Sequence, residues 1–227
     1  MADIFNEIDE DLRRDQLKRL WDRYSTLILA VAFLIVAGVA GWRGYEYYQA
    51  QQAREVGERY FAALKLSTDG DHKGAEEAFR QLGRTGHGGY PLLSALREAA
   101  ESAMQGETAA ALKAYDAIAA SPSTPPTFAG LARIRAAYLA LDVEERPAVE
   151  ARATPLVVGG NPWRHSAREV LALAAWKAGD AEAAKKRIDE LLNDAEVPRA
   201  FTARAEILMA LIRAAAGPAK AATAQTQ

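Results

Sequence analysis

The chain has 227 residues, no cysteine and a formal net charge of −2. Without cysteine it forms no disulfides and offers no thiolate chemistry, and its redox compartment is left open. Residues 1–23 hold seven acids and five bases, and the rest of the chain holds 23 of each. A body of zero net charge lacks the clustered Lys and Arg that nucleic-acid binding needs.

Alanine, the strongest helix former, is abundant, and period-2 runs of Val, Ile and Thr are missing, so the class is all-α. In the head, residues 1–23, Phe5, Ile8 and Leu12 line one helical stripe, and Leu17, Leu20, Trp21 and Tyr24 a second. Such stripes suit a helix lying on the membrane or on a partner, or a capped extension of whatever follows. The run Asp9-Glu10-Asp11 repels anionic lipid and favours the second reading.

Ser25 to Trp42 contains no charge and no proline. As a helix these residues cover about 27 Å, close to the roughly 30 Å hydrocarbon core of a bilayer. Trp21 and Tyr24 precede the run, and Trp42, Tyr45, Tyr47 and Tyr48 follow it. Such rings favour the headgroup level, and Trp21, Tyr24, Trp42 and Tyr45 are the expected interface anchors. A core helix of a soluble protein, or a signal peptide cleaved after Gly38-Val39-Ala40, are the other readings. The run is longer than either usually is, and the acidic head is wrong for a signal. Residues 24–44 are therefore read as an uncleaved transmembrane anchor. Five bases lie before it and only Arg43, Arg54 and Arg59 soon after, which places the N-terminus in the cytoplasm.

Residues 45–216 repeat themselves. Gly70-Asp71, Gly106-Glu107 and Gly179-Asp180 are spaced 36 and then 73 residues apart, so a degenerate unit is expected near Leu141-Asp142-Val143. Seven residues before each glycine stand Ala63, Ala99 and Ala172; five after come Ala75, Ala111 and Ala184; nine after come Phe79, Tyr115 and Ile188. This describes a helical hairpin. Small residues sit where two helices approach, a large one fills the space to the next unit, glycine supplies the positive φ at the first helix's end, and the acid starts the second helix.

Pro91, Pro125 or Pro126, and Pro147 are placed to open helices, and Trp163 stands near another helix start as a packing anchor. The glycine-rich stretch 83–89 lacks the strand that a phosphate-cradling loop requires. A last helix, Pro198 to Ala215, should cap the array, and residues 217–227 read as a disordered tail. The expected architecture is about four hairpins plus a capping helix.

The small–Gly-Asp–Ala–aromatic spacing resembles the tetratricopeptide repeat, without that family's early tryptophan and with most of its closing prolines missing. The head MADIFNEIDEDLRRDQLKRLW, one span and divergent repeats including NPWRHSAREVLALAAWKAGD together resemble the bacterial tetratricopeptide-like ancillary subunit of the SecYEG translocon. That resemblance implies a single-pass inner-membrane protein with a periplasmic repeat domain, whose partners are translocon subunits and periplasmic chaperones or folding factors.

Nothing in the sequence announces catalysis. His72, His87 and His165 fit no metal-ligand spacing, and there is no nucleophile elbow or Walker loop. No cofactor is called for, and the chain is read as a non-enzyme. Its expected role is a membrane-anchored protein-interaction scaffold. The alternative is a self-associating structural subunit of another membrane complex, that is, a homo-oligomer. Partner-binding candidates are Arg97 and Arg133, at equivalent positions 36 residues apart on first helices, with Arg59 and Arg168 nearby.

Overall fold

A computed structural model describes residues 2–215, without the side chains of residues 2–17, 19, 20, 22 and 28. The head stripes at Phe5, Ile8, Leu12, Leu17 and Leu20, and the tail 217–227, thus lie outside the described residues. Among the described residues all regular structure is helical. The chain divides into two compact units, Met1–Glu55 and Val56–Gln227.

Helix α1 (Ala2–Thr68) contains, from Arg23 onward, a stretch long and apolar enough to cross a membrane. Its Leu27, Leu29, Phe33, Leu34, Ile35 and Val36 are all exposed. In water such a row is a liability, because soluble monomers rarely show large contiguous apolar patches.

The second unit is an array of hairpins. The end of α1 pairs with α2 (His72–Thr85), α3 (Tyr90–Met104) with α4 (Thr108–Ala120), and α5 (Pro126–Val143) with α6 (Arg146–Ala153). A 3-10 turn, Thr154–Leu156, follows, and α7 (Arg164–Lys177) then pairs with α8 (Ala181–Leu192). Helix α9 (Arg199–Ala215) closes the array against α7 and α8. Between hairpins, α2 packs on α3, α4 on α5, and α6 and α5 on α7. Each unit therefore buries its apolar face on its neighbour, the logic of a repeat array.

Three of the four hairpin turns are the same object. Gly70, Gly106 and Gly179 have φ of 86°, 82° and 79°. The N–H of the following acid donates five residues back, Asp71 to Leu66, Glu107 to Ser102 and Asp180 to Ala175, each at 2.9 Å. The glycine N–H donates three back at 3.0–3.1 Å, which completes a Schellman closure of the first helix. Asp71 and Asp180 also accept from the Gly74 and Ala183 amides at 2.9 and 3.0 Å and so cap the second helices, whereas Glu107 makes no such bond.

The third turn differs. It falls at Glu144-Glu145 rather than Leu141-Asp142-Val143, and Glu144 is extended at φ −121°. Pro147, confined to the first helical turn, sets this register. Counted from Glu144, the small and large packing positions are Ala137, Val149 and Ala153, all buried.

Phe79, Ile188, Leu191, Val149 and Val170 are the large side chains buried completely. Each contributes about 1.5–3 kcal/mol relative to an exposed side chain. Ala63, Ala75, Ala99, Ala111, Ala172 and Ala184 are buried at the helix approaches, and Tyr115 fills the space between hairpins with its hydroxyl donating to the Leu96 carbonyl at 3.4 Å. Trp163, the N-cap residue of α7, lays its indole against Gly130 of α5 and donates from Nε1 to the Thr127 carbonyl at 2.8 Å.

Candidate interaction face

The second helices are joined by ion pairs. Arg152 of α6 grips Asp116 of α4 with two parallel bonds at 2.9 and 2.8 Å and also reaches Glu144, and Arg146 bonds Asp180 at the start of α8 at 2.9 Å. Forked guanidinium–carboxylate contacts of this kind hold geometry as well as charge. These hydrogen bonds raise the Arg152 pKa above its ordinary value, with Asp116 the main cause.

The first helices α3, α5 and α7 use their charges differently. On α3, Glu98 accepts from Arg80 at 2.9 Å, and Glu101, 2 % exposed, accepts from Ser67 Oγ at 2.6 Å and faces His72 Nδ1 at 2.7 Å. On α7, Glu169 accepts from the Tyr138 hydroxyl at 2.6 Å and from Arg204 of α9 at 2.5 and 2.9 Å. Burial, reinforced by the bond to Glu169, raises the Tyr138 pKa. Arg164 and Arg168 converge on Asp194 at 3.0 and 2.6 Å, His165 Nε2 lies 3.2 Å from the same carboxylate, and the Glu196 amide donates to it at 3.0 Å. The arginine hydrogen bonds, Arg164 first, hold the Asp194 carboxyl far below the usual carboxylate range. Lys177 reaches the Leu141 carbonyl and lies 4.0 Å from Asp142.

Among the described residues, two charges of these three helices have no hydrogen bond or ion pair, Arg97 and Arg135. Both are exposed, and they stand nine residues before Gly106 and Glu144, the same register in successive hairpins. Both act on one buried group: burial raises the Tyr115 pKa, and the charges of Arg135 and Arg97 oppose that rise. Phe61, nine before Gly70, is the first hairpin's counterpart and is 69 % exposed.

Of the arginines that the sequence puts forward, Arg97 is in this row. Arg133 is half-buried and donates only a long bond, 3.5 Å, to the Ala119 carbonyl. Arg168 spends its charge on Asp194. Arg59 is exposed and borders a groove of about 520 Å³ between α1 and α2, beside Ala63, Leu66, Leu82 and Arg84. Arg135 escapes a count of 36 residues from Arg97 because the third hairpin's turn lies two residues later than that count. Counting back from Pro147 would have found it. The rings of Trp21, Tyr24, Trp42 and Tyr45 are exposed, with Arg23 5.9 Å over Tyr24 and Gln49 donating to the Tyr45 hydroxyl at 2.6 Å.

A second groove, about 260 Å³, lies between α7, α8 and α9 and is lined by Leu173, Leu191, Ala205, Leu208 and Leu211. A recess of about 970 Å³ lies between the start of α4 and the α5–α6 turn, where Asp116, Glu144 and Arg152 already satisfy one another. Among the described residues no group of three or more His, Asp or Glu side chains is arranged to hold a metal ion.

A family model described as a tetratricopeptide repeat-like domain matches residues 18–149. No curated protein and no solved structure gives a significant match to the chain.

Proposed function

The chain belongs to the tetratricopeptide repeat-like family, and from that premise we propose that it is a membrane-tethered scaffold that holds partner proteins on its first-helix face. Repeat arrays of this kind bind proteins through extended surfaces built from successive units. The observation that carries the reading is the contrast between α6 and the first helices α3 and α5. Both arginines of α6 are paired within the array, Arg152 with Asp116 and Arg146 with Asp180, while α3 and α5 present Arg97 and Arg135 to solvent in register.

The apolar stretch of α1 supports a single-pass anchor spanning residues 24–44. The excess of bases before it supports a cytoplasmic head and a repeat domain on the far side, periplasmic if the membrane is a bacterial inner membrane. A tether confines the binding face near the bilayer and raises its effective concentration for membrane partners. Translocon subunits and periplasmic folding factors are the partners implied by the resemblance of the head and repeats.

Photo-crosslinking from positions on α3 and α5 in intact membranes, followed by mass spectrometry, tests this. Recovery of translocon subunits or periplasmic folding factors is the expected result. Recovery of cytoplasmic partners alone would overturn the orientation, and recovery of none would overturn the scaffold.

The apolar face of α9 favours a second reading, self-association. Ile207 and Leu211 are exposed beside the groove that they line with Leu208. A concentration-dependent dimer on size exclusion, abolished by Ile207→Glu, would support it over capture of other proteins.

A further inference from the structure

We propose that α9 is a self-complementary docking surface, on which two copies of this chain pair their α9 helices antiparallel and Glu206 of each copy meets Arg213 of the other. This rests on the self-association reading above and names the geometry and the residues of that contact.

Helix α9 has two apolar faces. Ala205, Leu208, Met209 and Ile212 are buried where it packs on α7 and α8. On the other side Ala200, Ala203, Ile207, Ala210 and Ala214 are exposed, at alternating spacings of three and four residues, the seam along which helices pair. Ile207 is 63 % exposed and Leu211, beside the seam, 52 %. Helices α3, α5 and α7 lie between neighbours on both sides, whereas among the described residues α9 has α7 and α8 on one side alone. Residues 216–227 hold no Leu, Ile, Val, Met or aromatic side chain that could cover the seam.

The charges name the occupant. Glu206 and Arg213 are exposed, stand seven residues apart on one flank of the seam, and make no ion pair or hydrogen bond among the described residues. About two helical turns separate them, too far for them to pair with each other. In an antiparallel pair of identical helices each flank meets the same flank of the other copy. With Ile207 seated against the small Ala210 of a second copy, Glu206 lies opposite Arg213 of that copy, and the two-fold axis forms the same pair again. On the other flank Leu211 meets the aliphatic stem of Arg204 of the second copy, whose guanidinium stays on Glu169. The pattern of acid and base is thus completed by its own copy. An anionic bilayer is the rival surface, but it would repel Glu206 as much as it attracts Arg213.

The test uses the full chain in detergent micelles, in two pools labelled with donor and acceptor dyes at the N-terminus, with energy transfer read against protein concentration. The parent is expected to associate. Glu206→Arg and Arg213→Glu are each expected to weaken association about tenfold or more, because like charges then meet at both symmetric contacts. An equimolar mixture of the two single variants should associate as the parent does, since each copy supplies the charge that the other lacks. The double reversal Glu206→Arg/Arg213→Glu should do so as well. Both side chains are exposed and unbonded, so the thermal midpoints of the variants should match the parent and lost association is not lost folding. The chain has no cysteine, so Ala203→Cys mixed with Ala214→Cys should give a disulfide dimer on oxidation that neither variant gives alone. Association indifferent to either charge reversal, a mixture as weak as its components, or a dimer formed by Ala203→Cys alone would overturn the antiparallel pairing and leave self-association standing. A parent that stays monomeric, or one that associates equally well with Ile207→Glu, would remove both.

Discussion

The Tyr138 hydroxyl donates a 2.6 Å hydrogen bond to Glu169, joining α5 to α7, and Arg204 of α9 holds the same carboxylate. One acid thereby couples three helices from three successive units. Tyr138→Phe keeps the ring and removes the donor, and the full chain should lose about 1.5–3 kcal/mol, as for hydrogen bonds to charged groups. The bond and the burial both favour the neutral phenol, so the folded pKa lies above the unfolded value of about 10. This contribution is fully present below pH about 10 and is lost as the pH rises beyond it. Alkaline unfolding followed by far-UV circular dichroism should therefore be less steep in pH for Tyr138→Phe than for the parent.

Asp194 should shape acid stability with the opposite sign. Its folded pKa is depressed by Arg164 and Arg168, so the unfolded chain takes up the proton first as the pH falls. The stabilisation is complete above the unfolded value of about 3.9 and is lost as the pH drops below it towards the folded value. Chemical denaturation at stepped pH should show Asp194→Asn less stable than the parent near neutrality, with the gap closing below pH about 4. A constant gap down to the lowest pH would contradict the assignment.

Gly130 is a close approach rather than a turn. A Cβ there would stand 2.4 Å from Trp163 Cδ1 and 2.9 Å from Nε1, inside contact distance for a rigid indole held by its bond to Thr127. Gly130→Ala is expected to cost about 1–3 kcal/mol through overpacking, although alanine is the better helix former. Thermal unfolding of Gly130→Ala and Gly130→Ala/Trp163→Phe would check it, because the smaller ring should return part of the loss.

The turns make a paired prediction. Gly106 sits at φ 82° with open space around it, so Gly106→Ala meets no neighbour and should cost only the left-handed backbone penalty, about 1–2 kcal/mol. Glu144, at φ −121°, needs no glycine. Glu144→Gly should lower stability rather than restore a consensus turn, because it removes the contact with Arg152 and adds chain entropy to the unfolded state. Denaturant midpoints of the two variants decide this.

The helical class, an apolar run long enough to span a bilayer, the glycine-marked turns and the repeat spacing were legible in the residues, because each depends on local properties. Composition, hydrophobic run length, the φ preference of glycine and the helix-opening role of proline do not need distant neighbours. The third hairpin and the helix that Pro147 opens were legible, but its turn was placed about two residues early. Without a glycine the count from Arg97 lands on Arg133, and only the position of Pro147 within α6 moves the equivalent residue to Arg135.

What tertiary structure alone decided is which charges remain free. Arg97, Arg135 and Arg168 look alike in the sequence, each an arginine on a helix of alanine and leucine. Their difference arises 26 residues from Arg168, where Asp194 folds back to take its charge, while no carboxylate reaches the other two. The match between a cation and its counter-ion is a matter of distance in space, and spacing along the chain encodes it only within a helical turn or two.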